Sequence, residues 1–156
     1  MHRKPRADIR VIGDLTRSDL SHLLKASQEE GFRSIRRLID DWESGLNRFD
    51  HPGEILLSAY DGRALIGVCG LNCDPYEPSG RVSRVRRSYV LSQYRRQGVG
   101  SALLNRIVAE ARLGFDRLHV RTDHVIGDRF FCALGFIPSP DSENYTHWFG
   151  LREGQE

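Results

Sequence analysis

Tyr94-Arg95-Arg96-Gln97-Gly98-Val99-Gly100-Ser101 joins a β-like segment ending in Tyr89-Val90-Leu91 to a strongly helical segment opening at Gly98. An arginine followed at fixed spacing by two glycines, on a strand-to-helix turn, suits a pyrophosphate. The glycines let the backbone approach closely, and the free N–H groups of a helix start face negative charge. The turn implies a phosphorylated ligand, and its surroundings decide which.

Outward from this turn the chain reads as alternating elements. Asp8 to Ile12 is a short strand. Thr16-Arg17-Ser18-Asp19 is a helix start with Thr16 as the expected cap, followed by Leu20, Leu23 and Leu24 on one face. Gly31 breaks that helix. Phe32, Ile35, Leu38, Ile39, Trp42 and Leu46 mark a second helix. Glu54 to Tyr60 and Ala64 to Leu71 are strands with an expected hairpin turn at Asp61-Gly62. Asn72 to Gly80 is a loop, and Val82 to Leu91 is a strand rich in arginine (Arg84, Arg86, Arg87). Gly98 to Leu113 is the clearest helix, with a stripe of Val99, Leu103, Ile107, Val108 and Ala111. Leu118 to Thr122 is a strand, Ile126 to Leu134 a short helix, and Phe136-Ile137 and Tyr145 to Leu151 the last strands. The order β-α-α-β-β-β-α-β-α-β-β predicts an α/β fold (α+β), a mixed sheet with helices on its faces.

The 156 residues suit a single domain, expected over 8–156 behind a flexible basic tail at 1–7. The composition, 39% hydrophobic and 28% charged, is that of a soluble globular protein, and no apolar run reaches membrane-spanning length. A net charge of +2 gives little reason to expect nucleic acid as a partner. The three cysteines, Cys69, Cys73 and Cys132, lack framework or zinc spacing. They predict reduced thiols, a cytoplasmic setting and no metal site.

A nucleotide triphosphatase loop needs a lysine after its glycines, yet Gly100 is followed by Ser101-Ala102. A dinucleotide fingerprint needs a third glycine and an acidic residue on the next strand, which here carries Arg117, His119 and Arg121. The pattern R-x-x-G-x-G at Arg95, Gly98 and Gly100 instead resembles the coenzyme A loop of the GNAT N-acetyltransferase superfamily. Tyr89 to Arg95 looks like the end of that family's fourth strand, and Arg129 to Phe136 like its last helix and the following Gly-Phe.

The resemblance implies a mostly antiparallel sheet of about seven strands flanked by about four helices, with a splayed fourth and fifth strand. It implies transfer of an acetyl group from acetyl-CoA to a primary amine by direct attack in a ternary complex. The N–H groups of Arg96, Gln97, Gly98, Val99, Gly100 and Ser101, with the Arg95 and Arg96 side chains, would hold the pyrophosphate. Val90 and Leu91 would offer N–H groups to the thioester. Two departures stand out. Phe131 occupies the place of the tyrosine that commonly protonates the leaving thiolate. His124 occupies the place of an asparagine that contacts the pantetheine arm.

Candidate proton donors are Tyr89 and Tyr145, although the plainer reading of each is a packing residue. Candidate bases are Asp74, Glu77, Asp123, His124 and His147. Alternation along the last strand predicts Tyr145, His147 and Phe149 on one face. Arg84, Arg86 and Arg87 could favour an acceptor carrying a carboxylate, or pair with nearby acids. A small-molecule amine is the expected acceptor and a homodimer a reasonable assembly. The competing readings are a protein N-terminal or lysine acetyltransferase and a coenzyme A-binding sensor without catalysis.

Overall fold

The computed structural model describes residues 7–152. The tail expected at 1–7 therefore lies, apart from Ala7, outside the described residues. The elements are β1 (Asp8–Val11), α1 (Ser21–Glu29), α2 (Ser34–Ser44), β2 (Ile55–Asp61), β3 (Ala64–Cys73) and β4 (Val82–Val90). After them come α3 (Val99–Ala111), β5 (Arg117–Val120), α4 (Val125–Ala133), β6 (Ile137–Pro138) and β7 (His147–Gly150). The strands form one sheet in the order β1-β2-β3-β4-β5-β7-β6. Only β4 and β5 run parallel; the other neighbours are antiparallel.

β3 is buried from Leu65 to Asn72, the mark of a central strand covered on both faces. The two faces are told apart by its glycines. A Cβ on Gly67 would meet Leu103 of α3, whereas one on Gly70 would meet Phe49, just beyond α2. The sheet thus lies between an α1/α2 layer and an α3 layer. α2 turns Ile35, Leu38 and Trp42 into the core and leaves an Arg36–Asp40 ion pair outside. α3 buries Val99, Leu103, Leu104, Ile107 and Ala111. These are apolar stripes at helical spacing, and their burial is what holds the helices on the sheet.

Local chemistry corrects several boundaries. Thr16 does not cap the first helix. Asp14 accepts the Thr16 N–H and hydroxyl in a short 3-10 turn, and the helix opens at Ser21, whose N–H donates to the Asp19 carboxylate. Gly45 adopts φ 80°, ending α2 at Ser44 and leaving Leu46 exposed outside it. The β2–β3 hairpin pairs Asp61 with Ala64, so its turn residues are Gly62 and Arg63 rather than Asp61 and Gly62.

One irregularity decides where the site can be. Along β4, Gly70 partners Arg86 and Val68 partners Tyr89, so two residues of β4, Arg87 and Ser88, oppose the single Cys69. Arg87 takes up this bulge with φ 58°. The extra residue keeps Arg86 and Tyr89 on the same face and turns the end of β4 away from β5. Gly70 is the close-approach point beneath the bulge, where a Cβ would overlap the Phe49 ring and sit 3.1 Å from the Arg86 carbonyl. Gly70→Ala is expected to lower the unfolding free energy by about 1–3 kcal/mol, read by chemical denaturation.

Candidate active site

β4 and β5 share only three pairs, Val82↔Arg117, Ser83↔Leu118 and Arg84↔His119. Beyond them β4 stays with β3, and β5 stays with β7 through Thr146 N–H to the Val120 carbonyl and Thr122 N–H to the Thr146 hydroxyl. The facing edges of Val85–Val90 and Val120–Thr122 therefore diverge and open a cleft. Its β4 edge keeps unspent backbone groups. The Leu91 N–H donates to the Ile66 carbonyl at 2.9 Å, facing β3. Val90, one residue earlier, sits in the opposite orientation, and its carbonyl accepts from Arg95 Nε at 2.9 Å. The Val90 N–H shares that outward edge.

At the mouth of the cleft the turn 95–101 leads into α3. Arg96 has φ 62° and Gly98 φ 88°, two left-handed residues separated by Gln97. That alternation turns successive N–H groups toward a common side and forms an anion-binding nest. The first intrahelical bond of α3 runs from the Ala102 N–H to the Gly98 carbonyl, leaving the N–H groups of Val99, Gly100 and Ser101 without intrahelical acceptors. Gly98 faces open space, whereas a Cβ on Gly100 would lie 3.4 Å from Phe130 of α4. Gly98 is thus required for its backbone angle, and Gly100 allows the close approach of α4.

The Arg95 side chain is committed elsewhere. Its Nη2 lies 2.6 Å from the Glu30 carboxylate, which also accepts the Tyr89 hydroxyl at 3.3 Å. Burial, and then the Glu30 charge, raise the Tyr89 pKa. Phe32 stands edge-on to Tyr89 at 6.3 Å and to His124 at 5.4 Å, tying the α1–α2 connection to the start of α4. His124 is the exposed N-cap residue of α4.

Phe131 is a core residue. Its ring packs edge-on against Phe130 and Phe136, each at 5.2 Å, and tilts against His147 at 6.2 Å. The buried His147 takes two partners, the Thr146 hydroxyl at Nδ1 (2.8 Å) and Asp128 at Nε2 (2.7 Å). Tyr145 does not share its face. β7 begins at His147, so Tyr145 precedes the alternation and stacks on His119 at 3.7 Å across the sheet. Asp123 is exposed and Glu77 half-buried. Asp128, Cys132 and His147 bring their donor atoms within 4.8 Å of one another. The Cys69 thiol is buried in β3 and pushed up to about 12, which makes it unreactive.

The cluster that sequence reading passes over is Asp74–His119. Both side chains are 2% exposed, with His119 Nδ1 2.9 Å from Asp74 Oδ2. Asp74 is fixed in turn by the Tyr76 N–H on its other oxygen. His119 Nε2 is buried without a hydrogen-bond partner among the described residues. With Nδ1–H donated to the carboxylate, Nε2 carries the free lone pair. His119 is the last residue paired to β4 before the cleft opens. Burial holds its pKa below the ordinary 6.5, opposed by Asp74 and reinforced by the Arg117 charge. The alternation of Arg117, His119 and Arg121 was visible in the sequence; the approach of Asp74, 45 residues away, was not.

Residues 17–136 match the family model described as the acetyltransferase (GNAT) family. The chain belongs to that family and is an acetyl-CoA-dependent N-acetyltransferase. A search of curated proteins gives no match. Among solved structures, a chain from Exiguobacterium sp. 255-15 assigned as an acetyltransferase is 28% identical, with a TM-score of 0.83 over 92% of this chain and 93% of that one. YhbS of Escherichia coli, a GNAT family N-acetyltransferase solved with CoA, is 19% identical, with a TM-score of 0.68 over 97% of this chain and 85% of that one. YncA of Salmonella typhimurium, solved with acetyl-CoA, is 15% identical, with a TM-score of 0.67 over 94% and 95%. These last two likenesses speak for the fold. None of the helices among the described residues is long and apolar enough to cross a membrane.

The Asp74–His119 geometry gives a spectroscopic expectation. The His119 ring should titrate below 6.5 by NMR, and Asp74→Asn should move it further down, because the carboxylate is the group that raises it.

Proposed function

We propose that the protein transfers the acetyl group of acetyl-CoA to a primary amine by direct attack within the cleft between β4 and β5. The observation that carries this reading is the cleft itself. It opens after only three parallel pairs and ends at a nest of free N–H groups. Acetyl-CoA would supply the activated thioester, and the chain's residues do the rest. The N–H groups of 96–101 and the start of α3 hold the pyrophosphate. Arg96, exposed beside them, adds charge. The outward Val90 N–H is placed to polarise the thioester carbonyl, where negative charge grows during attack.

An amine is protonated at neutral pH and must lose a proton before it attacks. That proton passes to solvent water as the amine enters the cleft, because the buried His119 Nε2 lies beside Arg84, six residues along β4 from the Val90 N–H. In the transfer the amine nitrogen forms a bond to the carbonyl carbon and the carbon–sulfur bond breaks, the electron pair leaving with sulfur. The second proton, shed by the acylated nitrogen as the amide forms, goes to the departing thiolate, which leaves as the free thiol. No protein acid is needed at Phe131, since a thiolate is a fair leaving group.

Wild-type protein should bind acetyl-CoA in calorimetry and release thiol in the presence of an acceptor amine. Gly98→Glu should weaken acetyl-CoA binding by about a hundredfold or more, ~2.7 kcal/mol, because it sets a carboxylate and a strained φ at the nest. Near-normal affinity would remove the loop from the site. Phe131→Tyr should leave kcat within about twofold of wild type, and a clear increase would show that a missing acid limits the rate.

A further inference from the structure

β4 delivers three arginines to one side of the sheet. Arg84 is paired in register with His119, and side chains of paired parallel residues share a face. Alternation puts Arg86 on that same face, and the bulge keeps Tyr89 there too. This is the α1/α2 side, as the Arg87–Asp41 ion pair at 3.1 Å shows. That pair neutralises Arg87. Among the described residues Arg84 and Arg86 have no ion-pair partner. Arg84 lies 5.6 Å from the Tyr76 ring centroid, and both arginines are half-buried. Burial, followed by the charges of Arg84 and Arg87, pushes the Arg86 guanidinium down to about 10.

Desolvating a guanidinium without an anion is unfavourable, and placing two side by side adds repulsion. The same face holds a buried imidazole nitrogen with no donor. These unmet demands lie together where β4 leaves β5, on the α1/α2 side. The turn that faces the pyrophosphate lies at the far, C-terminal end of β4. Building on the acetyl-transfer reading above, we propose that this face is the acceptor site and that the acceptor is an anionic amine. It is a small molecule whose primary amine stands a few bonds from a carboxylate or phosphate, with Arg84 and Arg86 holding the anion. Two guanidinium forks match either anion in bidentate geometry. An anion held there leaves the amine a few bonds away, toward the Val90 end of β4 where the thioester carbonyl lies. A polycationic acceptor is disfavoured by the same charges.

The test uses the full chain. Calorimetry on the CoA-saturated protein, and thiol release from acetyl-CoA, are measured with glycine, β-alanine, γ-aminobutyrate, O-phosphoethanolamine, ethanolamine and cadaverine. At least one anionic amine is expected to bind and to turn over with a kcat/KM about tenfold or more above ethanolamine, with cadaverine poorest. The amino acid and phosphoethanolamine arms tell which anion is read. Arg84→Gln and Arg86→Gln should each raise the KM of that acceptor about tenfold or more, with the acetyl-CoA Kd unchanged as proof of a folded cleft. Equal binding of ethanolamine or cadaverine, no binding by any anionic amine, or an unchanged KM in both variants overturns the proposal while leaving acetyl transfer standing. Failure of acetyl-CoA itself to bind overturns both.

Discussion

β4 is hydrogen-bonded to β3 along nearly its whole length but to β5 for only three residues. Everything chemical in this protein depends on that inequality. In a regular sheet the edge from Val85 to Val90 would be filled by a neighbour, and its backbone groups would be spent on a ladder. The bulge at Arg87 and Ser88 shifts the register of the strand, and β5, held on its other edge by β7, does not follow it. A row of polar backbone then lines a gap inside an otherwise buried sheet. Leaving such groups unpaired is unfavourable in a folded protein unless water or a ligand takes their place. The cleft is therefore a local weakness of the sheet held open by a tightly packed remainder.

The two ends of the cleft differ in how they handle charge. At its mouth the positive character comes from backbone N–H groups and the start of α3, while Arg95 is neutralised by Glu30. Deeper, on the α1/α2 face, it comes from the side chains of Arg84 and Arg86, which have no such counterion among the described residues. Backbone dipoles are fixed by the fold and suit a group common to every turnover. Arginine side chains at a half-buried strand position suit the part of the reaction that distinguishes one acceptor from another. Asp74–His119 lies beside that second region as a buried, hydrogen-bonded pair whose imidazole pKa burial lowers.

The recognisable parts of the sequence were those whose signals are local. Gly98 requires a left-handed backbone and begins a helix with a strong apolar stripe, so the turn and α3 could be read together. Gly31, Gly45 and Gly135 all adopt positive φ where helices stop. The misreadings were local competitions. Asp14 takes the Thr16 N–H and hydroxyl that the capping pattern assigned to a helix start. Strand alternation was carried two residues too far at Tyr145, placing it beside His147 when it stacks on the opposite face. Arg95 is a different case, because its spacing suits a phosphate while the Glu30 carboxylate just past α1, 65 residues away in sequence, accepts its guanidinium.

By itself the sequence determined the order of elements and, through the glycine turn into α3 and its flanks, the family, since each rests on residues close together in the chain. Only the tertiary structure decided which side chains gather where β4 leaves β5. Asp74 and His119 are brought together by the β3–β4 loop folding over the β5 strand. Asp41 pairs with Arg87 and Glu30 with Arg95, whereas Arg84 and Arg86 have no ion-pair partner among the described residues. Such allocation of partners depends on distances between remote segments. A linear pattern of charges records how many there are, and the packed sheet settles which of them remain unpaired.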